Sequence, residues 1–154
     1  MDKYDFMRLA LEQARLSADE GEVPVGAVVV RNGEVVSYGR NRREKEKNAL
    51  CHAEIEAIDG ACKALGGWRL WECEMYVTLE PCPMCAGAII NSRLKKVTYG
   101  AKDYKNGAVE SVTEMFSFPF THKPETESGV LGEECSNMLS EFFKNLREQR
   151  TNNK

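Results

Sequence analysis

Strand-like and helix-like segments alternate through residues 23–100 of this 154-residue chain, and their order limits the folds that it can adopt. Residues 23–30 and 35–38 are rich in β-branched side chains and flank Asn32-Gly33, a pair typical of type I′ hairpin turns. A helix, a strand, a second helix and a further strand are predicted next, over 51–65, 74–79, 81–90 and 96–100. The strand–helix–strand order predicts a parallel strand pair, so we expect a mixed sheet.

The two ends of the chain complete the predicted fold. Apolar residues at helical spacing predict a first helix over 3–20, capped by Asp2, and a last helix over 133–150. Val130-Leu131 is predicted as a short fifth strand. We therefore expect one α/β domain over residues 1–150, with about five strands flanked by helices, and a disordered tail over 151–154.

The composition narrows the class of protein. Hydrophobic residues make up 42% of the chain and charged residues 29%, as in ordinary globular domains. No apolar run approaches the roughly 20 residues of a membrane span, and the N-terminus lacks the layout of a signal peptide. We therefore expect a cytoplasmic protein with no membrane partner. The net charge of −3 argues mildly against bulk nucleic-acid binding, for which a local basic patch would be needed.

The spacing of Cys82 and Cys85 is the strongest chemical signal. In a reducing compartment a Cys-x-x-Cys pair indicates a metal site or a redox pair. The pair is predicted at a helix N-terminus, where backbone N–H groups favour thiolates, and His52 begins the preceding helix. Two thiolates and one imidazole are zinc ligands, and with no second paired motif the fourth position stays open for water, as in catalytic zinc sites. A redox pair and half of a structural zinc site are the alternatives.

Glu54 is a candidate acid/base group beside the open coordination position. It follows His52 by two residues, in the first turn of the predicted helix. A carboxylate beside a metal-activated water can take a proton from it and return that proton to a leaving group. The alternative is a surface glutamate that interacts with the helix N-terminus. Asn41 is a further candidate, because its amide follows a predicted strand and could face the same site.

Together these motifs resemble a known enzyme family. His52-Ala53-Glu54 followed by Pro81-Cys82-Pro83-Met84-Cys85 is the signature of zinc deaminases that act on bases. With the flanking segments 23–27, 78–88 and 141–143, nearly the whole chain resembles the bacterial tRNA-specific adenosine deaminases, of the cytidine/deoxycytidylate deaminase-like superfamily. The resemblance implies a three-layer α/β/α cytidine-deaminase-like fold, and conversion of the wobble adenosine of a tRNA anticodon to inosine.

The resemblance also implies roles for individual residues. One zinc ion per subunit would be bound by His52, Cys82 and Cys85, and Glu54 would transfer protons during catalysis. Substrate binding falls to three residues: Asn41, which would hydrogen-bond the flipped nucleotide, Ala53, through its backbone N–H, and Val25, in the pocket wall. The implied partners are the tRNA anticodon stem-loop and a second copy of the chain in a homodimer. Candidate RNA contacts lie in the basic run 40–47, the loop 103–107 and the last helix: Arg42, Arg43, Asp103, Lys105, Asn106, Phe143 and Arg147.

Two other functions remain open at this point. A deaminase of free guanine or cytosine-type bases would share the zinc motif, so that motif does not separate it from a tRNA deaminase. A zinc-stabilised RNA-binding subunit without activity is the second alternative. Glu54 argues against it, because a subunit that does no catalysis needs no proton shuttle.

Overall fold

A computed structural model describes residues 1–152 of the chain and shows five helices and five strands in that range. The helices are α1 (Lys3–Asp19), α2 (Arg43–Glu46), α3 (Ala53–Leu65), α4 (Pro83–Asn91) and α5 (Gly132–Asn152). The strands are β1 (Gly26–Arg31), β2 (Glu34–Arg40), β3 (Cys73–Leu79), β4 (Lys96–Ala101) and β5 (Glu125–Ser128). None of these helices is both long enough and apolar enough to cross a membrane.

The five strands form one mixed sheet in the order β2-β1-β3-β4-β5. β1 is antiparallel to both of its neighbours, whereas β3, β4 and β5 are parallel to one another. The predicted parallel pair is therefore confirmed as β3 and β4. The hairpin prediction is also confirmed, because Asn32 and Gly33 both have positive φ, 50° and 78°.

Helices cover both faces of the sheet, which confirms the three-layer α/β/α fold. On one face, α3 and α4 pack against alternate strand residues that include Val29 and Met75. On the other face, α1 and the start of α5 cover the intervening residues, which include Val28 and Tyr76. Because both faces are buried, β1 is apolar along almost its whole length rather than alternating.

The position of α3 matters most for the site, since this helix follows directly after His52. Its buried face consists of small residues, including Ala53 and Ala57. Gly39 of β2 lies directly beneath it, and a Cβ there would overlap the backbone of Ala53 and Ala57. The absence of side-chain bulk lets the helix lie against the strand. The helix ends at Gly66, whose φ of 71° lies in the left-handed region that glycine adopts easily after a helix.

The start of α4 corrects one prediction. We placed Pro81 at the first helical position, but Pro83 occupies it and Cys82 is the N-cap. Proline fits that position in either case, because the first helical N–H has no partner within the helix. Cys82 therefore has the extended N-cap conformation rather than a helical one, and Cys85 lies in the first turn of the helix.

Two predictions near the C-terminus were wrong. Val130-Leu131 is not a strand: Leu131 has a left-handed φ of 51°, and the fifth strand is β5. β5 is an edge strand of mostly exposed polar residues, so it lacks the apolar pattern by which strands are recognised. Thr151 and Asn152, placed in the tail, are the last residues of α5, because good helix formers precede them. Residues 153 and 154 lie outside the described part of the chain.

Candidate active site

Several segments meet at one edge of the sheet. β2, β3 and β4 run in the same direction, because β1 is antiparallel to both β2 and β3. Their carboxyl ends therefore lie at one edge, next to the start of β1, and the residues that follow them are Asn41, Glu80 and Lys102. With the first residues of α3 and α4, and with Leu139 and Phe143 of α5, these segments line an open cleft of about 670 Å³.

The three predicted zinc ligands lie together beside this cleft. Nδ1 of His52 is 3.6 Å from Sγ of Cys82 and 3.5 Å from Sγ of Cys85. In a tetrahedral site, Zn–N and Zn–S bonds of about 2.0–2.1 and 2.3 Å place N and S about 3.6 Å apart. The three ligand atoms lie within 4.8 Å of one another, and within residues 1–152 no fourth His, Cys, Asp or Glu joins the group. The residues present therefore fit a zinc ion with one coordination position left open.

Helix N-termini hold these ligands in place. His52 is the N-cap of α3, Cys82 is the N-cap of α4, and Cys85 lies in the first turn of α4. The N–H groups of a first helical turn lack partners within the helix and favour negative charge nearby. The pKa of Cys82 is lowered to about 4, first by the hydrogen bond that the Cys85 thiol donates to it and then by His52. The pKa of Cys85 is raised, because its thiol holds that shared proton.

Glu54 lies in the first turn of α3 and lines the cleft together with His52 and Cys82. Its side chain is almost fully buried, with 4% of the residue exposed. Burial raises the pKa of Glu54 to about 7, because an ionised carboxylate loses its hydration there. A carboxyl group that titrates near neutrality can both accept and return a proton.

Asn41 fixes the beginning of α3. Its Oδ1 accepts a hydrogen bond from the backbone N–H of Ala53 at 2.9 Å, and its Nδ2 donates to the carbonyl oxygen of Val23 at 3.1 Å. The predicted N–H donor of Ala53 thus already has an acceptor within the protein. Asn41 and the buried Val25 both line the cleft.

The structure divides the predicted RNA contacts into two groups. Five line the same cleft: Arg43, Asp103, Lys105, Asn106 and Phe143. The other two do not. Arg42 forms an ion pair with Glu56 at 3.0 Å, and Arg147 lies on a separate part of the surface with Lys144 and Glu148. The structure therefore does not bring Arg42 and Arg147 to the site.

The basic run 40–47 carries less free charge than its sequence indicates. Arg40 and Lys45 both form ion pairs with Glu20, at 2.7 and 2.8 Å. With the ion pair of Arg42, three of the five basic residues in the run have acidic partners. Arg43 is the basic residue of this run that lines the cleft. These partners are distant in the sequence, so the run alone did not reveal them.

Sequence reasoning missed the role of Glu80, although this residue lies within the segment 78–88 that resembles the deaminase family. Glu80 is 2% exposed, and its carboxylate accepts hydrogen bonds from several backbone N–H groups of residues 103–111. Burial alone would raise the pKa of Glu80, but the hydrogen bonds, beginning with the N–H of Glu110, lower it overall. The available signal was an acidic residue at the end of an apolar strand, where a charge needs partners.

Known proteins resemble this chain over most of its length. A family model described as MafB19-like deaminase matches residues 1–147. The tRNA-specific adenosine deaminase of Bacillus subtilis (strain 168) is 49% identical over 146 residues, which cover 94% of this chain and 91% of that protein. A solved structure from a study of A-to-I editing by tRNA deaminases at the wobble position of transfer RNA has a TM-score of 0.86 and 46% identity, covering 88% of this chain and 99% of the other. A guanine deaminase from Bacillus subtilis has a TM-score of 0.65 and 35% identity over 80% of this chain and 79% of its own.

We predict that Asn41→Ala lowers the free energy of unfolding by about 1–2 kcal/mol, because it removes the acceptor of the Ala53 N–H and the donor to Val23. Asn106→Ala is the matched control: Asn106 lines the same cleft but is held there by its backbone N–H, which donates to Asp103 at 3.1 Å. Its effect should stay within about 0.5 kcal/mol. Urea unfolding of the zinc-saturated proteins without RNA measures both values, and equal effects would contradict an anchoring role for Asn41.

Proposed function

The chain belongs to the family of tRNA-specific adenosine deaminases, and on this premise we propose that it converts the wobble adenosine of a tRNA anticodon to inosine. The reaction is a zinc-dependent hydrolysis: a C–O bond forms at C6 of adenine, the C–N bond to the 6-amino group breaks, and ammonia leaves. One observation carries the proposal, the cluster of His52, Cys82 and Cys85 beside the buried Glu54 in an open cleft. The proposal includes a homodimer in the cytoplasm, which the family resemblance implies.

Zinc suits the ligand set in this proposal, because two thiolates and one imidazole occur in catalytic zinc sites that keep one open position. When bound there, zinc supplies a Lewis acid that lowers the pKa of a water molecule towards 7. The chain contributes the helix N-termini that favour the thiolates, and it holds Nδ1 of His52 within 3.6 Å of both sulfurs.

Glu54 transfers the protons. Its carboxylate accepts a proton from the attacking water and delivers it to the leaving amine, so that no free hydronium ion is needed. A pKa of about 7 allows both steps near neutral pH. Burial of Glu54 in the first turn of α3 produces this pKa and also fixes the carboxylate beside the metal ligands.

The residues around the opening of the cleft favour RNA over a free base. Arg43 and Lys105 supply cations for phosphate groups, which a free base lacks. Tyr104 and Phe143 are 80% and 41% exposed and offer aromatic faces on which unpaired bases can stack. An anticodon loop suits such a cleft, since extruding a base from a loop costs only a few kcal/mol.

At the bottom of this cleft, Val25 forms part of the apolar wall and Asn41 has hydrogen-bonding capacity to spare. A side-chain amide offers two N–H groups and two lone pairs, and the protein uses one of each. The remaining donor and acceptor are available to the extruded nucleotide. In this arrangement Ala53 acts on the substrate through Asn41, whose Oδ1 its N–H already binds.

The direct test incubates zinc-loaded protein with an anticodon stem-loop that carries adenosine at the wobble position and, separately, with free guanine and cytidine. We expect inosine in the stem-loop, detected by mass spectrometry of its nucleosides, and no ammonia from the free compounds. The same stem-loop with guanosine at the wobble position is the control. Ammonia released only from free guanine or cytidine would contradict the proposal, as would stem-loop binding without any deamination.

We further predict that Glu54→Ala keeps about one zinc per chain but loses at least about a hundredfold in rate, because the proton shuttle is gone and the ligands remain. Cys82→Ala should instead lose the zinc. Asp59→Ala is the matched control, since Asp59 is an exposed residue of the same helix and forms an ion pair with Lys63. Elemental mass spectrometry and inosine formation are measured on all three variants. Full activity of Glu54→Ala, or full zinc in Cys82→Ala, would refute these roles.

A further inference from the structure

Two buried glutamates, Glu22 and Glu80, contact segments that line the cleft, and neither takes part in the proposed reaction. Each is only 2% exposed. A buried carboxylate is costly unless it is hydrogen-bonded. Both of these accept hydrogen bonds from the backbone of a segment that lines the cleft. The segments held in this way are α2 and the loop 103–111.

Glu80 gathers the loop 103–111 around its carboxylate. Its Oε2 accepts the backbone N–H groups of three successive residues, Val109, Glu110 and Ser111, at 3.1, 2.8 and 3.0 Å. Its Oε1 accepts the N–H of Asp103 at 3.1 Å and the hydroxyl of Ser111. One side chain thus joins both ends of the loop to the end of β3.

The loop is shaped to pass close over that carboxylate. Gly107 lies against it, and a Cβ at this position would overlap the carboxyl group of Glu80. A turn starts at Asp103, whose carbonyl oxygen accepts the N–H of Gly107 at 2.8 Å and whose Oδ1 accepts those of Lys105 and Asn106 at 3.1 Å each. The side chains of 103–106 line the cleft as a result.

Glu22 performs the corresponding task for α2. Its two carboxylate oxygens accept the N–H groups of Glu44 and Lys45, at 3.0 and 2.7 Å. These are early N–H groups of α2, and the N-cap residue Arg42 provides no side-chain cap. A carboxylate some twenty residues earlier in the chain therefore replaces the missing cap. It fixes the turn that carries Arg43 to the cleft.

We propose that Glu22 and Glu80 are positioning residues that hold the two sides of the cleft in place for the RNA backbone. α2 follows β2, and the loop 103–111 follows β4, with β1 and β3 between them. At the usual strand spacing the two sides start about 14 Å apart. If a segment adopts its binding geometry in only a fraction of the molecules, the apparent affinity for RNA falls by that fraction. These anchors therefore act on substrate affinity rather than on the chemical step. This inference rests on the proposed function.

The test measures steady-state kinetics on the anticodon stem-loop for Glu80→Gln and Glu22→Gln. Glutamine places an N–H₂ donor where the loop presents only donors, while it keeps the size of the side chain. We expect KM and the RNA Kd to rise at least about tenfold, with kcat at saturating RNA within about threefold of wild type. Zinc content should stay at about one per chain, because the metal ligands are untouched.

Two further variants keep this test decisive if Glu80→Gln folds poorly. Ser111→Ala removes only the hydroxyl donor, so we expect a smaller rise in KM, of about two- to threefold. Glu127→Gln is the matched control: this carboxylate binds Lys3 and Lys96, and no residue of that trio lines the cleft. Its KM should equal that of the wild type.

Amide hydrogen exchange reports on the anchors without any RNA. In Glu80→Gln the N–H groups of Asp103, Val109, Glu110 and Ser111 should exchange at least about tenfold faster, with β3 unchanged. Glu44 and Lys45 should behave likewise in Glu22→Gln. Unchanged exchange in these variants would show that the two glutamates do not anchor the segments. Faster exchange with unchanged KM and Kd would show that the anchoring does not matter for RNA binding. A loss in kcat alone, or a loss of zinc, also overturns the role of the anchors in RNA binding. If the wild-type protein binds the stem-loop without forming inosine, the proposed function is refuted instead. In that case the RNA Kd and the amide exchange rates of the variants still test the role of the two anchors.

Discussion

The site depends on one topological constraint: the carboxyl ends of three strands and the amino ends of two helices meet at the same edge of the sheet. The antiparallel β1 makes this possible, because it lies between β2 and β3 and leaves both of them, and β4, running in one direction. His52 and Cys82 are the N-caps of α3 and α4, so the geometry of the metal ligands follows from where these helices begin. Gly39 lets α3 lie close enough to the sheet for His52 to approach Cys82 and Cys85.

Such an edge is rich in backbone N–H groups without helical partners, and the chain satisfies many of them with acceptors and negative charge. Cys82, whose pKa is lowered to about 4, lies at the start of α4, the amide oxygen of Asn41 caps α3, and Glu22 accepts the N–H groups of Glu44 and Lys45 in α2. Glu80 does the same for a loop rather than a helix. The same electrostatic preference therefore shapes the metal site and the cleft around it. Glu54 is the exception, since burial raises its pKa to about 7 and keeps it able to hold a proton.

Much of this could be predicted from local sequence signals. Asn32-Gly33 marks a turn through its backbone preference, Asp2 marks a helix start through its capping side chain, and the structure confirms both. The metal cluster could be predicted from the sequence because its residue types and their spacing are specific to such sites. Pro81 and Pro83 both fit a helix start, so spacing alone could not choose between them. The edge strand β5 carries no apolar pattern to recognise. The partners of Arg42 and Glu80 lie 14 to 31 residues away in the sequence, and only the fold brings them together.

The central claim is an open metal centre with three protein ligands at this edge of the sheet. X-ray absorption at the zinc edge of the purified protein tests it most directly. We predict two sulfur neighbours at about 2.3 Å, one imidazole nitrogen at about 2.0–2.1 Å and one further light atom from water. A third or fourth sulfur in the coordination shell, or a second imidazole, would show a closed structural site and contradict the account.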